Sequence, residues 1–499
     1  MSNRHKDIKR LVCEKLEKSY PNFKGLSKKR KKQVAQMLLE EVYANYDMSK
    51  AIEADKYELC NVEPIPKNIY NLDQIKELHD NFNDNMLAFK LKSNAKAIKD
   101  PELLAIDKIV DWPFVNHLLA PDNYFAAGHK IFPVQLFKAE LLKSLKYPEL
   151  SYRKFCDKEI NNHERKENRA FIGLKLTQKI DHSQLSQFRS GLPFNKLINV
   201  MVYFIYLFLQ EKPLSESTFY AVDSTELAER ISNFPLAKLK VGDKQVRIYQ
   251  DIYAECGSRR QKRDKSPYVV GYRLHTLTVI DAEKEIAFPL LSILAPANHH
   301  DSNFLEMLVN FGKAIGLDLN VVIGDQAYGD KKESEYIQTK HSVTILNEPK
   351  QIKKLPEFVD SKTYQVYLNA YCETPMDYCG KNKINEHEFY CGAEPGQCPL
   401  EYCCEKLRHI PIDSGVFGQI PYYFDEAQKA LNMRKFAERP FNLLKHREGL
   451  EPLRTISQKT STTVATIANI ATLLIEIAGY RKKKKKPKKE QMDFFAKAA

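Results

Sequence analysis

Residues 320–328, NVVIGDQAY, run from apolar and β-branched side chains straight into an acid. Four consecutive apolar or glycine positions describe a strand covered on both faces, with Asp325 just beyond its carboxyl end. Upstream, FYAVDST (219–225) has the same character and places Asp223 at the end of an earlier strand. Between them, YVVGYRLHTLTVID (268–281) and EIAFPLLSILAP (285–296) read as two strands joined by a tight turn near Asp281 to Lys284. NHHDSNFLEMLVNFGKAIG reads as a helix with Asp301 or Ser302 as N-cap and Gly316 as C-cap, and SVTILNEP (342–349) as a last strand. The order over 218–349 is therefore three strands, helix, strand, helix, strand. Three leading strands can meander and the later ones can join by helical crossovers, so the expected class is α/β: a mixed sheet flanked by helices.

The flanks differ from this centre. From Phe132 to Phe208 the period is helical throughout, in PVQLFKAELLKSL, LSYRKFCDKEI, HSQLSQFRSGL and NKLINVMVYFIYLFLQ. Residues 6–19 and 26–46 read as two helices parted by Pro21, Asn22 and Gly25. These readings divide the chain into a basic helical unit (1–60), an unassigned connecting region holding the single tryptophan, Trp112 (61–130), and an all-helical module (131–215). The first part of an α/β domain (216–349), a cysteine-bearing insertion (350–425), the second part of that domain (426–480) and a basic tail expected to be disordered (481–499) complete it.

A chain of 499 residues with 43% hydrophobic and 28% charged residues is neither wholly disordered nor collagen-like. The formal charge of +13 is carried by the ends. Residues 1–32 hold 12 Lys/Arg against 3 Asp/Glu, and RKKKKKPKK (481–489) adds eight more positive charges, so the body is close to neutral. Basic ends point to a polyanionic partner, although lysines without interleaved aromatics supply only salt-dependent phosphate affinity. The basic cluster Lys28 to Lys32 fits either a DNA-binding helical pair or a solvated face. Ten cysteines are too few for a disulfide scaffold, and MSNRHKDIKR lacks the apolar core of a signal peptide, so a reducing cytoplasmic setting is expected. Val464 to Ala478 is the longest apolar stretch; it carries Asn469 and Glu476 and is short of a membrane span, so it is read as a buried helix.

Acids beyond strand ends in an α/β sheet point into the crevice where ligands bind. Two carboxylates plus a third are the hard oxygen donors that a pair of Mg2+ ions uses, leaving room for substrate phosphate. Glu438 in RKFAERPFNLLK is the candidate third acid, with Arg434 four residues before it and Lys445 seven after, on one stripe of a helix.

On AVDST (221–225), GYRLHTLTVID with His275, LAPANHHD (294–301), VIGDQAYG (322–329) and the R-x3-E-x6-K spacing of Arg434, Glu438 and Lys445, the chain resembles DDE-type transposases of bacterial insertion sequences. LSYRKFC (150–156) and DHSQLSQFRSGL (181–192) add to the likeness, which covers roughly 130–480. The resemblance implies a ribonuclease H-like catalytic domain in two parts behind an N-terminal helical module. Asp223, Asp325 and Glu438 become the catalytic and metal-holding triad for two Mg2+ (or Mn2+) ions, and Arg434 and Lys445 become phosphate contacts. It further implies metal-activated water nicking double-stranded DNA at the element's terminal repeats, and attack on target DNA by the freed 3′ hydroxyl. A homodimer on paired ends is implied as well, and nucleoid association with no membrane role is the expectation beside it. Leu431 stands where the signature helix usually has tyrosine, and the basic run Arg259 to Lys265 has no assigned counterpart.

Other readings stay open beside this one. A metal-dependent nuclease without strand transfer would cut without joining, and an inactive derivative would bind DNA only. His275 is read as a structural strand histidine and Asp301 as a helix cap. Cys372, Cys379, Cys391, Cys398, Cys403 and Cys404 are candidate ligands of a structural Zn2+, though their spacing lacks two-residue knuckles.

Overall fold

A computed structural model of the chain describes residues 4–47, 62, 64–83, 95–120, 131–215, 218–228, 234–258, 267–281, 283–284, 286–347, 357–369, 372, 374–382, 384, 386–394, 406–411, 420–421, 424–447, 450–451, 453 and 455–485. Arg259 to Lys265, Cys398, Cys403, Cys404 and the tail beyond Lys485 lie outside these residues.

The centre is a mixed sheet. Strands β1 (Thr218–Ala228), β4 (Glu255–Ser258), β5 (Tyr268–Asp281), β6 (Ile286–Pro296), β7 (Val321–Gly324) and β8 (Thr344–Asn347) form it, and β2 (Ala237–Val241) and β3 (Lys244–Ile248) form a separate hairpin. Across the sheet the order is β6-β5-β1-β7-β8, with β4 extending the β6 edge of β5. β5 runs antiparallel to both β1 and β6, whereas β7 is parallel to β1 and β8 is parallel to β7. The sheet is thus mixed and flanked by helices, as the element order predicts.

Strand alternation assigns the two faces. Val222, Leu277, Val279, Val322 and Ile345 turn to a large helical core, while Ala221, Ile280, Ile323 and Leu346 turn to a second core. The helical layer comprises α3 (Leu72–Asp80), α4 (Pro101–Ile109), α5 (Trp112–Leu119), α6 (Pro133–Lys146), α7 (Tyr152–Phe155), α8 (Lys166–Ile172), α9 (His182–Gly191) and α10 (Phe194–Glu211). Residues 61–130, which periodicity leaves unassigned, contribute Ile75, Leu103, Ile106, Trp112 and Phe114 to this core. Two sheet-flanking helices follow, α11 (Leu305–Ala314) and α12 (Lys331–His341). On the opposite face the insertion supplies a three-stranded sheet of β9 (Asp377–Lys381), β10 (Glu386–Tyr390) and β11 (Leu407–Pro411). It packs together with α13 (Asp425–Met433) through Met376, Phe389, Ile410, Ala427 and Ala430.

Beyond α13 the chain passes through a 3-10 turn (Arg434–Ala437), the short α14 (Glu438–Asn442) and a π turn (Leu443–Arg447). The continuous helix expected here is broken because Pro440 has no N–H to donate and its ring crowds the carbonyl of Phe436. The last helix, α15 (Gln458–Lys485), contacts β6, α10, α4, α6 and α9. Its segment 458–479 is long and apolar enough to cross a membrane, yet 78% of that window is buried inside the protein. The two polar residues noted in this stretch are accommodated. Asn469 donates to Ser292 Oγ on β6 at 2.9 Å, and Glu476 pairs with Lys212 at 3.4 Å.

The N-terminal pair, α1 (Arg4–Ser19) and α2 (Lys28–Asn45), buries Ile8, Val12 and Leu16 against Val34, Leu38 and Leu39. Five of the fourteen buried residues of that core come from elsewhere: Leu236, just before β2, and Ala237, Val241, Val246 and Ile248 of the β2–β3 hairpin. The hairpin turns on Gly242-Asp243, where the positive φ of Gly242 (59°) suits a two-residue loop opening with glycine.

Candidate functional site

The register of the parallel strands builds the site. β1 pairs with β7 over Tyr220–Val322, Ala221–Ile323 and Val222–Gly324, and there the pairing stops. The next residues, Asp223 and Asp325, therefore stand side by side where the two parallel strands part. Asp223 is not at the end of its strand, as the sequence suggests. β1 continues to Ala228 as a ribbon with β5, and only its parallel partner ends. Gly324 permits the close approach, since a Cβ there would run into Asn347 Oδ1 and lie 3.1 Å from Tyr328 Cβ.

A cavity of about 500 Å³ opens over this point, and it takes in Asp223, Asp325, Glu438, Arg434 and Lys445 together. The broken helix still delivers the last three to one place. Asp223 is buried at 8% exposure, Asp325 is half-buried, and Glu438 is exposed at the rim. Asp223 Oδ1 accepts the N–H of Ser224 at 2.7 Å, Asp325 Oδ1 accepts that of Ala327 at 2.8 Å, and Arg434 Nη1 lies 3.9 Å from Asp223 Oδ2. Lys445 is engaged by Glu451 at 3.2 Å. Burial pushes the Asp223 carboxyl up to about 7, and the charges of Asp325 and Glu438 push the same way against Ser224 N–H and Arg434. An acid so placed gives up its proton only as the pH nears neutrality.

Two residues take part in ways the sequence does not reveal. Asp301 is not the helix cap. His300 fills that position, its Nδ1 accepting from Ser302 N, and α11 proper begins only at Leu305. The Asp301 carboxylate instead lines the cavity at 4% exposure, receiving Arg273 Nη1 at 2.9 Å and Ser224 Oγ at 3.0 Å. Arg273, the second residue, was legible only as a charge inside an apolar strand. His275 is fully buried, with Nδ1 3.0 Å from Tyr328 Oη and its ring 4.5 Å from that of Phe304. Burial depresses its pKa to about 4, which keeps it neutral and fits the structural reading. Of the candidate zinc ligands, Cys391 is buried, Cys379 exposed and Cys372 half-buried, with the thiol of Cys372 donating to Asn369 Oδ1 and that of Cys379 to Asp377 O.

Among the described residues no three His, Cys, Asp or Glu side chains close on a single point as a ready-made metal cage. The acids of the cavity fit a different kind of ion. Mg2+ takes one or two carboxylates and completes its shell with water and substrate phosphate. Burial, with the charges of Asp325 and Glu438 added, disfavours the ionised Asp223 carboxyl, and such an ion would offset both.

Fold and site together define an α/β protein with an acid- and arginine-lined cavity where two parallel strands part. No protein-family model matches the chain, and no characterised protein matches it in sequence. Among solved structures it is similar to a piggyBac transposase in a synaptic complex with hairpin DNA, at 12% identity over 86% of this chain and 85% of that one. The TM-score is 0.26, a level at which two chains need not share a fold.

Proposed function

We propose that the protein is a DNA transposase of the DDE type, cutting element ends and joining them to target DNA. One observation carries the reading: Asp223 and Asp325 stand paired where β1 and β7 part, and Glu438, Arg434 and Lys445 come from more than 100 residues further on to line the same cavity. The sheet order, antiparallel through β6, β5 and β1 and parallel through β1, β7 and β8, supports a ribonuclease H-like catalytic domain.

Asp223 and Asp325 would hold Mg2+ or Mn2+, with Glu438 turning in from the rim. Such ions, when bound, generate a nucleophile from water at neutral pH and neutralise charge on a phosphodiester. The chain's own residues do the rest. Arg434 is placed to bind a phosphate oxygen while remaining near Asp223, and its planar fork fixes orientation as well as charge. Lys445 reaches a second phosphate on leaving Glu451. Phe441 forms an apolar wall of the cavity. Asp223 must lose its proton before it can ligate, so metal affinity should rise with pH up to about 7.

The test uses purified protein, a duplex carrying the DNA that flanks its own gene, and Mg2+ or Mn2+, scoring nicking and joining for wild type and Glu438→Gln. Joining that depends on Glu438 is expected. Cutting without joining would make the protein a nuclease, and binding with neither would leave an inactive relative. Zinc analysis of protein purified without chelator tests the cysteine segment separately: a structural site requires about one equivalent, and less than half removes it.

A further inference from the structure

The β2–β3 hairpin was not visible as a unit in the sequence, and its two faces are unlike. Ala237, Leu239, Val241, Val246 and Ile248 face the helices α1 and α2. Alternation sends Lys238, Lys240, Gln245 and Arg247 to the opposite face. The register sets Lys238 directly across from Arg247 and Lys240 across from Gln245. Like charges directly opposite each other destabilise a ribbon. Among the described residues no carboxylate pairs with Lys238, Lys240 or Arg247, and Arg247 Nε donates to its neighbour Gln245 at 2.9 Å. Over residues 237–248 there are four Lys/Arg and one Asp, and that acid, Asp243, sits in the turn.

The ribbon is also fixed to the body of the protein beside the cavity. One side of α1 packs on the hairpin, while Lys9 holds Glu255 of β4 at 2.6 Å and the carbonyl of Ala254 at 2.9 Å. Lys6 reaches His299 Nδ1 at 3.2 Å, in the loop that leads to Asp301. A cationic face mounted rigidly in this way is a surface preset for a polyanion.

We infer that the outer face of the β2–β3 hairpin is a docking ribbon for duplex DNA. The inference rests on the proposed function in taking the polyanion to be DNA. Its shape agrees: the major groove, about 12 Å wide, admits a two-stranded ribbon, and phosphates on either wall would meet Lys238 and Arg247. Bound phosphate would also relieve the repulsion across the strands. The set Lys238, Lys240 and Arg247 offers up to three phosphate contacts and no acid, so it would contribute affinity and orientation, with little reading of bases.

The experiment measures binding of a fluorescent duplex of arbitrary sequence to the full chain, in EDTA, from 50 to 300 mM salt. The triple substitution Lys238→Ala, Lys240→Ala, Arg247→Ala should lower the slope of log K against log salt by about 2.7, at roughly 0.9 per phosphate contact. Affinity at 0.1 M salt should fall at least tenfold, and melting temperature should not fall. The pair Lys238→Arg, Lys240→Arg should bind as wild type does. An unchanged slope in the triple variant would overturn the ribbon while leaving the catalytic reading standing, since that is read separately by Mn2+-dependent nicking of plasmid. A wild-type chain that fails to bind duplex at 50 mM salt would overturn both.

Discussion

Replacing Asp223 by Asn should make the metal-free protein more stable, and increasingly so as the pH rises. The side chain is nearly isosteric and keeps its acceptor for Ser224 N–H, so the substitution chiefly removes a titrating group. Unfolded, the carboxyl titrates near 3.8; in the folded protein burial, with Asp325 and Glu438 nearby, raises this to about 7. Between those values the folded state holds the proton and the unfolded state has released it, so wild-type stability falls as pH rises through the window and levels off above it. About three pH units at 1.36 kcal/mol each give a difference of about 4 kcal/mol as an upper limit. Thermal or urea unfolding of both proteins in EDTA at pH 4.5, 6 and 8 should therefore show a gap of about 1 kcal/mol at the acid end that widens toward pH 8. Adding Mg2+ at pH 8 should restore wild type and help the variant much less, because binding to the folded state alone raises stability. Parallel curves in EDTA, or equal Mg2+ stabilisation of both proteins, would refute the charge assignment at this site.

Two further substitutions probe the frame around the site and a third the helical core behind it. Asp301→Ala strips the partner from Arg273 and the acceptor from Ser224 Oγ, and should cost about 2–4 kcal/mol in urea melts. Gly324→Ala drives a Cβ into Asn347 and against Tyr328, costing about 1–3 kcal/mol and displacing Asp325, which a fall in both melting temperature and nicking would report. Lys138, buried between Trp112 and Phe171, pairs with Asp107 at 2.8 Å. Lys138→Met should cost about 3–5 kcal/mol by leaving that buried carboxylate without its cation, with Trp112 Nε1 still donating to it at 3.0 Å, and adding Asp107→Leu should recover much of the loss.

The strands that carry the acids were legible in the sequence because they are covered on both sides. β5 matches its expected span from Tyr268 to Asp281, and β6, β7 and β8 lie within one or two residues of theirs. The hairpin was not, because AKLKVGDKQVRI alternates weakly and its apolar face is covered by helices some two hundred residues earlier in the chain. Periodicity likewise gave no access to residues 61–130, whose short helices bury a few anchors each in a core completed by α10 and α15. At the site, spacing on a helix suggested how Arg434, Glu438 and Lys445 meet, and although Pro440 disturbs the hydrogen bonding of that helix, its turns still bring the three, with Phe441 and Asn442, to one side of the cavity. Asp301 eluded the reading because HHDS offers several capping side chains, and only the fold decides that His300 takes the cap and frees the acid.

The distance along the chain between Asp223 and Glu438 sets a clock. The two are separated by 438 − 223 = 215 positions, and at 5–20 residues per second a ribosome needs roughly 10–40 s to travel from one to the other. Through that interval the nascent polypeptide has made Asp223 and lacks Glu438, and α15, which closes the helical core, is later still. A product truncated anywhere between residues 325 and 438 would hold Asp223 and Asp325 without the third acid that the proposed metal site calls for. Early termination within that span therefore yields fragments that carry both strand acids and lack Glu438.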